Sequence, residues 1–298
     1  MDTASVPRIF EPARHGRRRA RAAAGFGDYD FLKARLSSDL AERLADSSRH
    51  FDRALDLGCH TGELAGALME SGQVGHVTAV DPAEEMAART CRRGFPACAM
   101  ALEEMAFAPH SFDLVASAFA LHWVNDLPGL LVQIRQVLRP DGLFLAALAG
   151  AGTLQELRDS LILAETEMTG GAGQRISPLP GLQDMAALMQ RAGFAMPVAD
   201  VETVTVRYPN AMRLMDDLKG MGETASFSQP AGRGLSRRIL SRAGEIYAEN
   251  HADADGRLPA TFRIVWVSGW APAEGQPRPL KPGSAKVSLT KVFGTPPD

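Results

Sequence analysis

Residues 53–65, RALDLGCHTGELA, leave this chain few folds to choose from. A short apolar run, residues 54–57, is followed at once by Gly58, which predicts a buried strand that ends in a tight turn. Gly62 closes the turn before a helical pattern, so bare backbone N–H groups meet at one point. A second apolar run ends at Asp81, where a carboxylate is positioned to accept both hydroxyls of a ribose.

The spacing of this glycine loop distinguishes between two kinds of nucleoside ligand. A dinucleotide fold uses G-x-G-x-x-G, in which the middle glycine admits a pyrophosphate. Here His60 occupies that position within D-x-G-x-x-x-G, so the loop suits a methionine-like tail whose ammonium group lies near Asp56. The loop resembles motif I of the class I S-adenosylmethionine (SAM) methyltransferases, and Asp81 resembles their acidic ribose-binding residue. The alternative is an ordinary strand–turn–helix with a solvated aspartate.

The resemblance implies SAM as the cofactor and extends its site beyond the two aspartates. The residues that it adds are Gly58, Cys59, Gly62, Pro82, Ala101, Leu102 and Ser117. Relatives carry an acid after the third strand that holds the adenine amino group, but Ala101 stands at that place here. We therefore expect the backbone at Ala101 and Leu102 to bind the adenine, or Glu103 to reach in.

Further periodic segments predict the rest of an α/β fold. Apolar runs at residues 96–100, 112–117 and 143–148 alternate with helical patterns, as in parallel sheets. Residues 201–208 and 262–270 predict two more strands. We expect a Rossmann-like class I methyltransferase fold: a mostly parallel, seven-stranded sheet with helices on both faces and an antiparallel last strand.

The chain has 298 residues, of which 45% are hydrophobic, so it can bury the core of one large domain. We predict a single methyltransferase-like domain over 29–275, with a SAM-binding half at 50–150 and a substrate-shaping half at 151–275. The basic residues 1–28 are predicted to be a flexible arm, or alternatively a helix that packs over the cofactor. Residues 276–298 are predicted to be a Pro-rich tail.

Composition excludes several classes of function. A formal net charge of −3 argues against a general nucleic-acid binder. The cysteines, Cys59, Cys91 and Cys98, lack paired metal-ligand spacing, which argues against a disulfide framework or zinc site. No apolar run approaches the roughly 20 residues of a membrane span, so no transmembrane segment is predicted. We expect a bacterial cytoplasmic protein, and the N-terminal arginines leave the mitochondrial matrix as an alternative.

Two aromatic side chains follow the fourth predicted strand. Because parallel strands carry their ligand crevice at their carboxyl ends, we expect His122 and Trp123 at the rim of the active site, with His122 as a catalytic candidate. The alternatives are a helix cap for His122 and a core position for Trp123. Tyr29, at the start of a predicted helix, is a candidate gate above the transferred methyl group.

Several longer runs carry a more specific resemblance. They are LHWVNDLP at 121–128, TLQELR at 153–158, LAETE at 163–167, MDDLKGMGE at 215–223, PATF at 259–262, RP at 278–279 and GSAKVS at 283–288. Together they resemble the arginine-hydroxylase assembly factors of respiratory complex I and their bacterial homologues. That family is related to the malonyl-carrier-protein O-methyltransferases of biotin synthesis.

The resemblance implies alternative activities. An assembly factor hydroxylates an arginine of a complex I subunit, whereas the biotin enzyme methylates the carboxylate of a malonyl group on an acyl-carrier protein. A non-catalytic assembly chaperone is a third alternative. Methyl transfer needs in-line placement more than acid–base help. A carboxylate substrate also needs an orienting cation, and Arg158 is the candidate for a bidentate clamp, or else an exposed helix arginine paired with acidic neighbours.

An iron-dependent hydroxylase would need two histidines and one carboxylate around the metal. His251 and Asp253 provide only H-x-D spacing, within a stretch that is typical of a solvated acidic turn. We therefore predict no metal site.

Overall fold

The computed structural model describes residues 8–229 and 234–277. Its helices are α1 Pro12–Ala22, α2 Phe31–Ala45, α3 Glu63–Glu70, α4 Glu84–Arg92, α5 Leu127–Val137, α6 Gln155–Thr169, α7 Leu182–Arg191, α8 Ala211–Gly220 and α9 Arg237–His251. Its strands are β1 Phe51–Leu57, β2 Val74–Asp81, β3 Ala97–Ala99, β4 Phe112–Ala118, β5 Leu138–Ala149, β6 Ala195–Tyr208 and β7 Leu258–Trp270. Short 3₁₀ turns span Ala23–Asp28 and Leu121–Trp123.

The strands form one seven-stranded sheet in the order β3-β2-β1-β4-β5-β7-β6. Strands β1 to β5 are parallel, and β7 runs antiparallel to both of its neighbours. The predicted fold, including the antiparallel last strand, is confirmed. The strand order reverses direction between β1 and β4, and in open α/β sheets a ligand crevice opens at such a switch point.

Side chains of β1 alternate between two cores, one on each face of the sheet. Ala54 packs in the core that contains Leu36 of α2 and Leu64 of α3. Leu55 packs in the opposite core, with Leu130 of α5. Because both faces are covered, residues 54–57 of β1 are almost entirely apolar, and the carboxylate among them, Asp56, is fully buried.

The segment 139–142, which has the composition of a turn, is an irregularity inside β5. Register along β4 moves from Phe112 opposite Leu138 directly to Leu114 opposite Leu143. The extra residues bulge out, and Asp141 adopts a left-handed φ of 64°. Strand β5 begins at Leu138, before the bulge, and from Leu143 onwards it pairs with both β4 and β7.

The predicted flexible arm over residues 1–28 is wrong for its described part. Residues Pro12–Ala22 form α1, with proline in its first turn, and α1 contacts α4 and α8. Its buried side chains include His15 and Arg19. The observed basic helix agrees with the helical alternative, and its packing over a cofactor stays a prediction.

The predicted tail lies mostly outside the described residues, as do the family-like runs at 278–279 and 283–288. Of its described part, Gln276 donates a 2.6 Å hydrogen bond from Nε2 to Asp141. The predicted division of the domain into halves stays a prediction. None of the helices in the described ranges has the length and apolar character that crossing a bilayer requires.

Gly58 offers a test of how closely the loop after β1 is packed. Gly58 (φ +83°) and Gly72 (φ +71°) both have left-handed backbones, but a Cβ on Gly58 would overlap that of Ala120, while a Cβ on Gly72 meets nothing within 4 Å. Both alanine variants carry a conformational cost of about 1 kcal/mol. We expect Gly58→Ala to lose about 1–3 kcal/mol more than Gly72→Ala in urea unfolding, because of overpacking. Equal losses would contradict this packing.

Candidate functional site

Asp56 lies at the carboxyl end of β1, with no exposed surface. Its Oδ2 accepts a 3.1 Å hydrogen bond from the backbone N–H of Ala65, at the start of α3. Among the described residues its Oδ1 has no hydrogen-bond partner. Burial raises the pKa of Asp56 to about 7, although the ammonium of Lys33 opposes the shift.

Lys33 of α2 brings a positive charge into the crevice between β1 and β4. Its buried Nζ donates to the carbonyl of Gly58 at 2.9 Å and to that of Ala118 at 2.7 Å. Burial lowers the pKa of the ammonium, and the nearby carboxylate of Asp56 opposes that effect. The sequence analysis did not single out Lys33. Its signal is a lysine on the same helix face as Ser37 and Leu40, which are also buried.

Asp81 points towards the glycine loop, and its role in binding a ribose stays a prediction. Its Oδ2 accepts from the backbone N–H of His60, and its Oδ1 accepts from that of Ala83, both at 2.9 Å. Its remaining partner is Arg19 of α1, which donates from Nε to Oδ1 at 3.2 Å and from Nη2 to Oδ2. Burial favours the neutral acid, but Arg19 outweighs it and holds the pKa of Asp81 below its usual value.

His60 completes the enclosure of the Arg19 guanidinium. Its Nε2 lies 2.6 Å from Arg19 Nη1 and its Nδ1 lies 3.0 Å from the carbonyl of Gly58. Burial, followed by the positive charge of Arg19, lowers the pKa of His60 to about 4. A neutral ring that donates from Nδ1 and accepts at Nε2 satisfies both contacts. Phe26 stacks on the imidazole with ring centroids 5.1 Å apart.

The other predicted cofactor residues of the glycine loop and of the neighbouring strand ends occupy different environments. Cys59 is buried between the glycines, and burial raises the pKa of its thiol well above the ordinary value. Gly62 has a φ of +93° and packs on Thr90. Pro82 follows Asp81 and is half-buried. Ser117 donates a 2.6 Å hydrogen bond to the carbonyl of Leu57, so its hydroxyl joins β4 to β1.

The predicted adenine contacts are divided between the surface and the core. Ala101 is exposed, whereas Leu102 is buried in the same core as Leu55. Glu103 does not reach into the crevice, because it accepts hydrogen bonds from the backbone of Asn125 at 2.8 Å and of Asp126 at 3.3 Å.

The crevice has groups that suit a SAM nucleoside, but this conformation leaves no room for one beside them. Arg19 is 1% exposed and Phe26 is 2% exposed, so α1 and the following turn fill the space next to Asp81. Lys33 holds the backbone carbonyls at the ends of β1 and β4. A nucleoside on Asp81 therefore requires a different position of Arg19.

A separate cavity of about 400 Å³ lies beyond the carboxyl ends of β4 and β5. Its walls are largely apolar and include Phe119, Leu154, Leu157, Leu161, Leu218 and Phe262. Charged side chains from three parts of the chain also reach it: Arg14 and Arg18 of α1, Arg175 between α6 and α7, and Glu223 after α8. An apolar cavity with a few polar groups is the usual form of a substrate site.

Glu223 is the central acid of this cavity, and its side chain is 6% exposed. Its Oε2 lies 2.9 Å from His122 Nε2 and accepts a 2.6 Å hydrogen bond from Trp123 Nε1. Its Oε1 has no hydrogen-bond partner within the part of the chain that the structure describes. Burial disfavours the anion, but His122 outweighs it and lowers the pKa of Glu223 well below its usual value.

His15 joins α1 to the same cluster by stacking on Trp123, with ring centroids 4.5 Å apart. Burial, followed by the charge of Arg19, lowers the pKa of His15 to about 3, so the ring is neutral. In the described ranges, Nδ1 of His15 and Nδ1 of His122 are buried without a hydrogen-bond partner, like Oε1 of Glu223. Unpaired buried polar atoms are costly, and three in one cluster indicate capacity for a polar ligand.

Two predicted catalytic residues lie away from this cavity. Arg158 is exposed on α6 and lines a different surface depression. Tyr29 packs against Gly220 of α8, and the guanidinium of Arg213 lies 5.8 Å from its ring centroid. Neither position supports the role that the sequence suggested. His122 does line the cavity, and its catalytic role stays a prediction.

The H-x-D pair does not gather metal ligands. His251 ends α9, and Asp253 accepts a 2.7 Å hydrogen bond from Arg207. Across residues 8–229 and 234–277 no group of three or more His, Cys, Asp or Glu side chains is arranged to hold a metal ion.

Comparison with known proteins identifies relatives over most of the chain. Residues 55–146 match the family model described as a methyltransferase domain. The chain is 41% identical over 267 residues to arginine-hydroxylase NDUFAF5, mitochondrial, of Mus musculus, covering 89% of this chain and 77% of that protein. It is 35% identical over 280 residues to malonyl-[acyl-carrier protein] O-methyltransferase of Laribacter hongkongensis, covering 88% and 90%.

Among solved structures, the YcgJ protein of Bacillus subtilis superimposes with a TM-score of 0.56 and 16% identity, covering 78% of this chain and 98% of that one. This likeness supports the fold alone.

Because His15 is buried in its neutral form, we expect the free energy of unfolding to depend on pH. The unfolded chain binds a proton at His15 below its ordinary pKa of 6.5, whereas the folded chain does not until about 3, so acid favours unfolding in that window. His15→Phe keeps the stacking and removes this proton. Between about pH 7 and pH 5, we expect the variant to lose about 2 kcal/mol less unfolding free energy than the wild type. Denaturant unfolding at several pH values measures this.

The matched control is His76→Gln, because that ring is exposed on β2. Its stability profile should follow the wild type. Parallel curves for His15→Phe and the wild type would show that the ring is not buried in neutral form.

Proposed function

Because the chain belongs to the family of the arginine-hydroxylase NDUFAF5, within the class I SAM-dependent methyltransferases, we propose that it acts on an arginine of a partner protein. The partner that the family resemblance implies is a subunit of respiratory complex I. The cellular compartment proposed with this role is the bacterial cytoplasm, and the mouse relative is named as mitochondrial.

The buried acid Glu223 is the observation that supports an arginine substrate. A guanidinium is always charged and needs an anion, which it prefers to bind through two parallel hydrogen bonds. Glu223 is held by His122 and Trp123 through one oxygen, and its other oxygen has no hydrogen-bond partner among the described residues. The acid faces the apolar cavity, whose walls suit the three methylenes of an arginine side chain.

Aromatic side chains beside Glu223 add a second feature that guanidinium groups favour. The ring of Phe119 lies 4.8 Å from that of His122, and both side chains line the cavity. Planar guanidinium groups stack on aromatic faces. In the proposed complex the substrate arginine therefore lies over these rings with its charge at Glu223.

We also propose that the crevice at Asp56, Gly58 and Asp81 binds a SAM-class nucleoside. When bound, that group supplies an electrophilic methyl on a sulfonium. The loop amides and Asp81 are the groups of this chain that would hold it. Their present partners must first change, as the position of Arg19 indicates.

A second candidate function is O-methylation of a malonyl group on an acyl-carrier protein. It is favoured by Arg14 and Arg18, which line the cavity and are held by the backbone carbonyls of Phe227 and Ala225. A malonyl carboxylate is ionised at neutral pH and needs a cation rather than a base. In this alternative one of these arginines, instead of Arg158, is the clamp.

The test of the arginine substrate is a deletion strain that carries Glu223→Gln. Without the anion we expect modification of the partner's arginine to fall roughly a hundredfold or more, since a buried guanidinium would lose its counter-charge. Mass spectrometry of the partner, which distinguishes an added methyl group from an added oxygen atom, is the measurement. The control is Glu245→Gln, at an exposed position of α9. A folded Glu223→Gln variant with full modification of that arginine would refute the role of Glu223.

The deletion strain itself separates the alternatives when its complex I activity and its biotin requirement are measured together. The proposed function predicts loss of complex I activity without a need for biotin. The carboxyl methyltransferase would be favoured if the deletion strain required biotin and if expression of the Arg158→Ala variant relieved that requirement while expression of Arg18→Ala did not. Full complex I activity with both Asp81→Ala and Glu223→Gln would favour a non-catalytic chaperone.

A further inference from the structure

Resting on the proposed SAM-class ligand, we infer that Arg19 of α1 and the nucleoside compete for Asp81, so that the nucleoside binds only when Arg19 withdraws. Arg19 thereby sets the affinity of the crevice. Its effect is transmitted to the neighbouring cavity, because α1 contributes to both places.

The hydrogen bonds of Asp81 are the first support. A carboxylate offers about four acceptor positions, and Asp81 already receives four donors. Two come from Arg19, and the others are the backbone N–H groups of His60 and Ala83. No acceptor position remains for the two hydroxyls of a ribose. The backbone donors belong to the loop and to the segment after β2, so Arg19 is the partner that can leave.

The second support lies at the other end of the crevice. The Nζ of Lys33 donates to the carbonyls of Gly58 and Ala118, in the region expected to receive the ammonium of a methionine-like tail. Cations of the chain itself therefore stand at both places where the ligand is expected to bind. The two buried acids, Asp56 and Asp81, are balanced by Lys33 and Arg19. The sulfonium and ammonium of SAM could supply that charge instead.

The attachments of α1 show which other groups would move with Arg19. The backbone N–H of Glu11 donates to Ser226 at 2.7 Å, and Arg14 donates to Phe227 at 2.6 Å. These partners belong to the segment that follows Glu223. Withdrawal of α1 would also remove His15 from the face of Trp123. Nucleoside binding and opening of the cavity are therefore coupled through one helix.

The experiment compares binding of S-adenosylhomocysteine, the demethylated product, to the full-length wild type and to Arg19→Ala by calorimetry. If only a minor population has Arg19 withdrawn, the apparent dissociation constant equals the intrinsic one divided by that population's fraction. We expect Arg19→Ala to bind about tenfold or more tightly than the wild type. Arg17→Ala, an exposed arginine of the same helix, is the matched control and should bind like the wild type.

Asp81→Asn should abolish the gain when combined with Arg19→Ala. Equal or weaker binding by a folded Arg19→Ala variant, beside a wild type that binds, would overturn the competition and leave the proposed nucleoside intact. Absence of binding by every variant would refute the nucleoside itself, and the competition with it.

Since Arg19→Ala leaves a buried acid without its counter-charge, it could fail to fold. Hydrogen exchange on the wild-type chain then decides. We expect the amides of α1 to exchange faster as the nucleoside is added, while those of α9 stay unchanged. Saturating nucleoside without any change in α1 exchange would overturn the inference.

Discussion

Two carboxylates lie buried at the carboxyl ends of neighbouring strands, and the packing around them is arranged to balance their charge. An ionised acid without a partner in a protein interior is costly. Asp56 and Asp81 have no exposed surface, and each has a cation from an N-terminal helix close by. Helices α1 and α2, which cross the crevice, bring these cations to the two acids.

The two acids meet this need in different ways. Asp81 is fully hydrogen-bonded and its pKa is lowered, so it is a stable anion. Asp56 keeps one oxygen without a hydrogen-bond partner in the described ranges, and its pKa of about 7 makes its charge dependent on its surroundings. Lys33 donates its hydrogen bonds to backbone carbonyls, so it stabilises the Asp56 anion through its charge and not through a hydrogen bond. The protonation state at the end of β1 is therefore more easily changed than the one at Asp81.

Local pattern was enough to predict the glycine loop, the carboxyl ends of the strands and the direction of Asp81, because each depends on neighbours in the chain. The starts of β5, β6 and β7 lie several residues before the predicted ones. The partners of the acids could not be predicted in this way, since Arg19 is 62 residues from Asp81 and only folding brings them together. Glu223 lies 101 residues from His122 and was part of a family-like run without a chemical role. Helix α9 was missed although Ser236 caps it and its buried residues are helically spaced.

Fold alone does not decide the reaction of this family, since relatives with one architecture are named for different chemistry. The charge that faces the substrate is a better guide, and here it depends on α1. With α1 in place, Arg14 and Arg18 add two positive charges to the lining of the cavity that Glu223 shares. Without α1, the charged residues lining the cavity would be Glu223 and Arg175, and Arg175 is already paired with Glu165. The same displacement that frees Asp81 would thus turn the cavity from one that tolerates an acid into one that attracts a guanidinium.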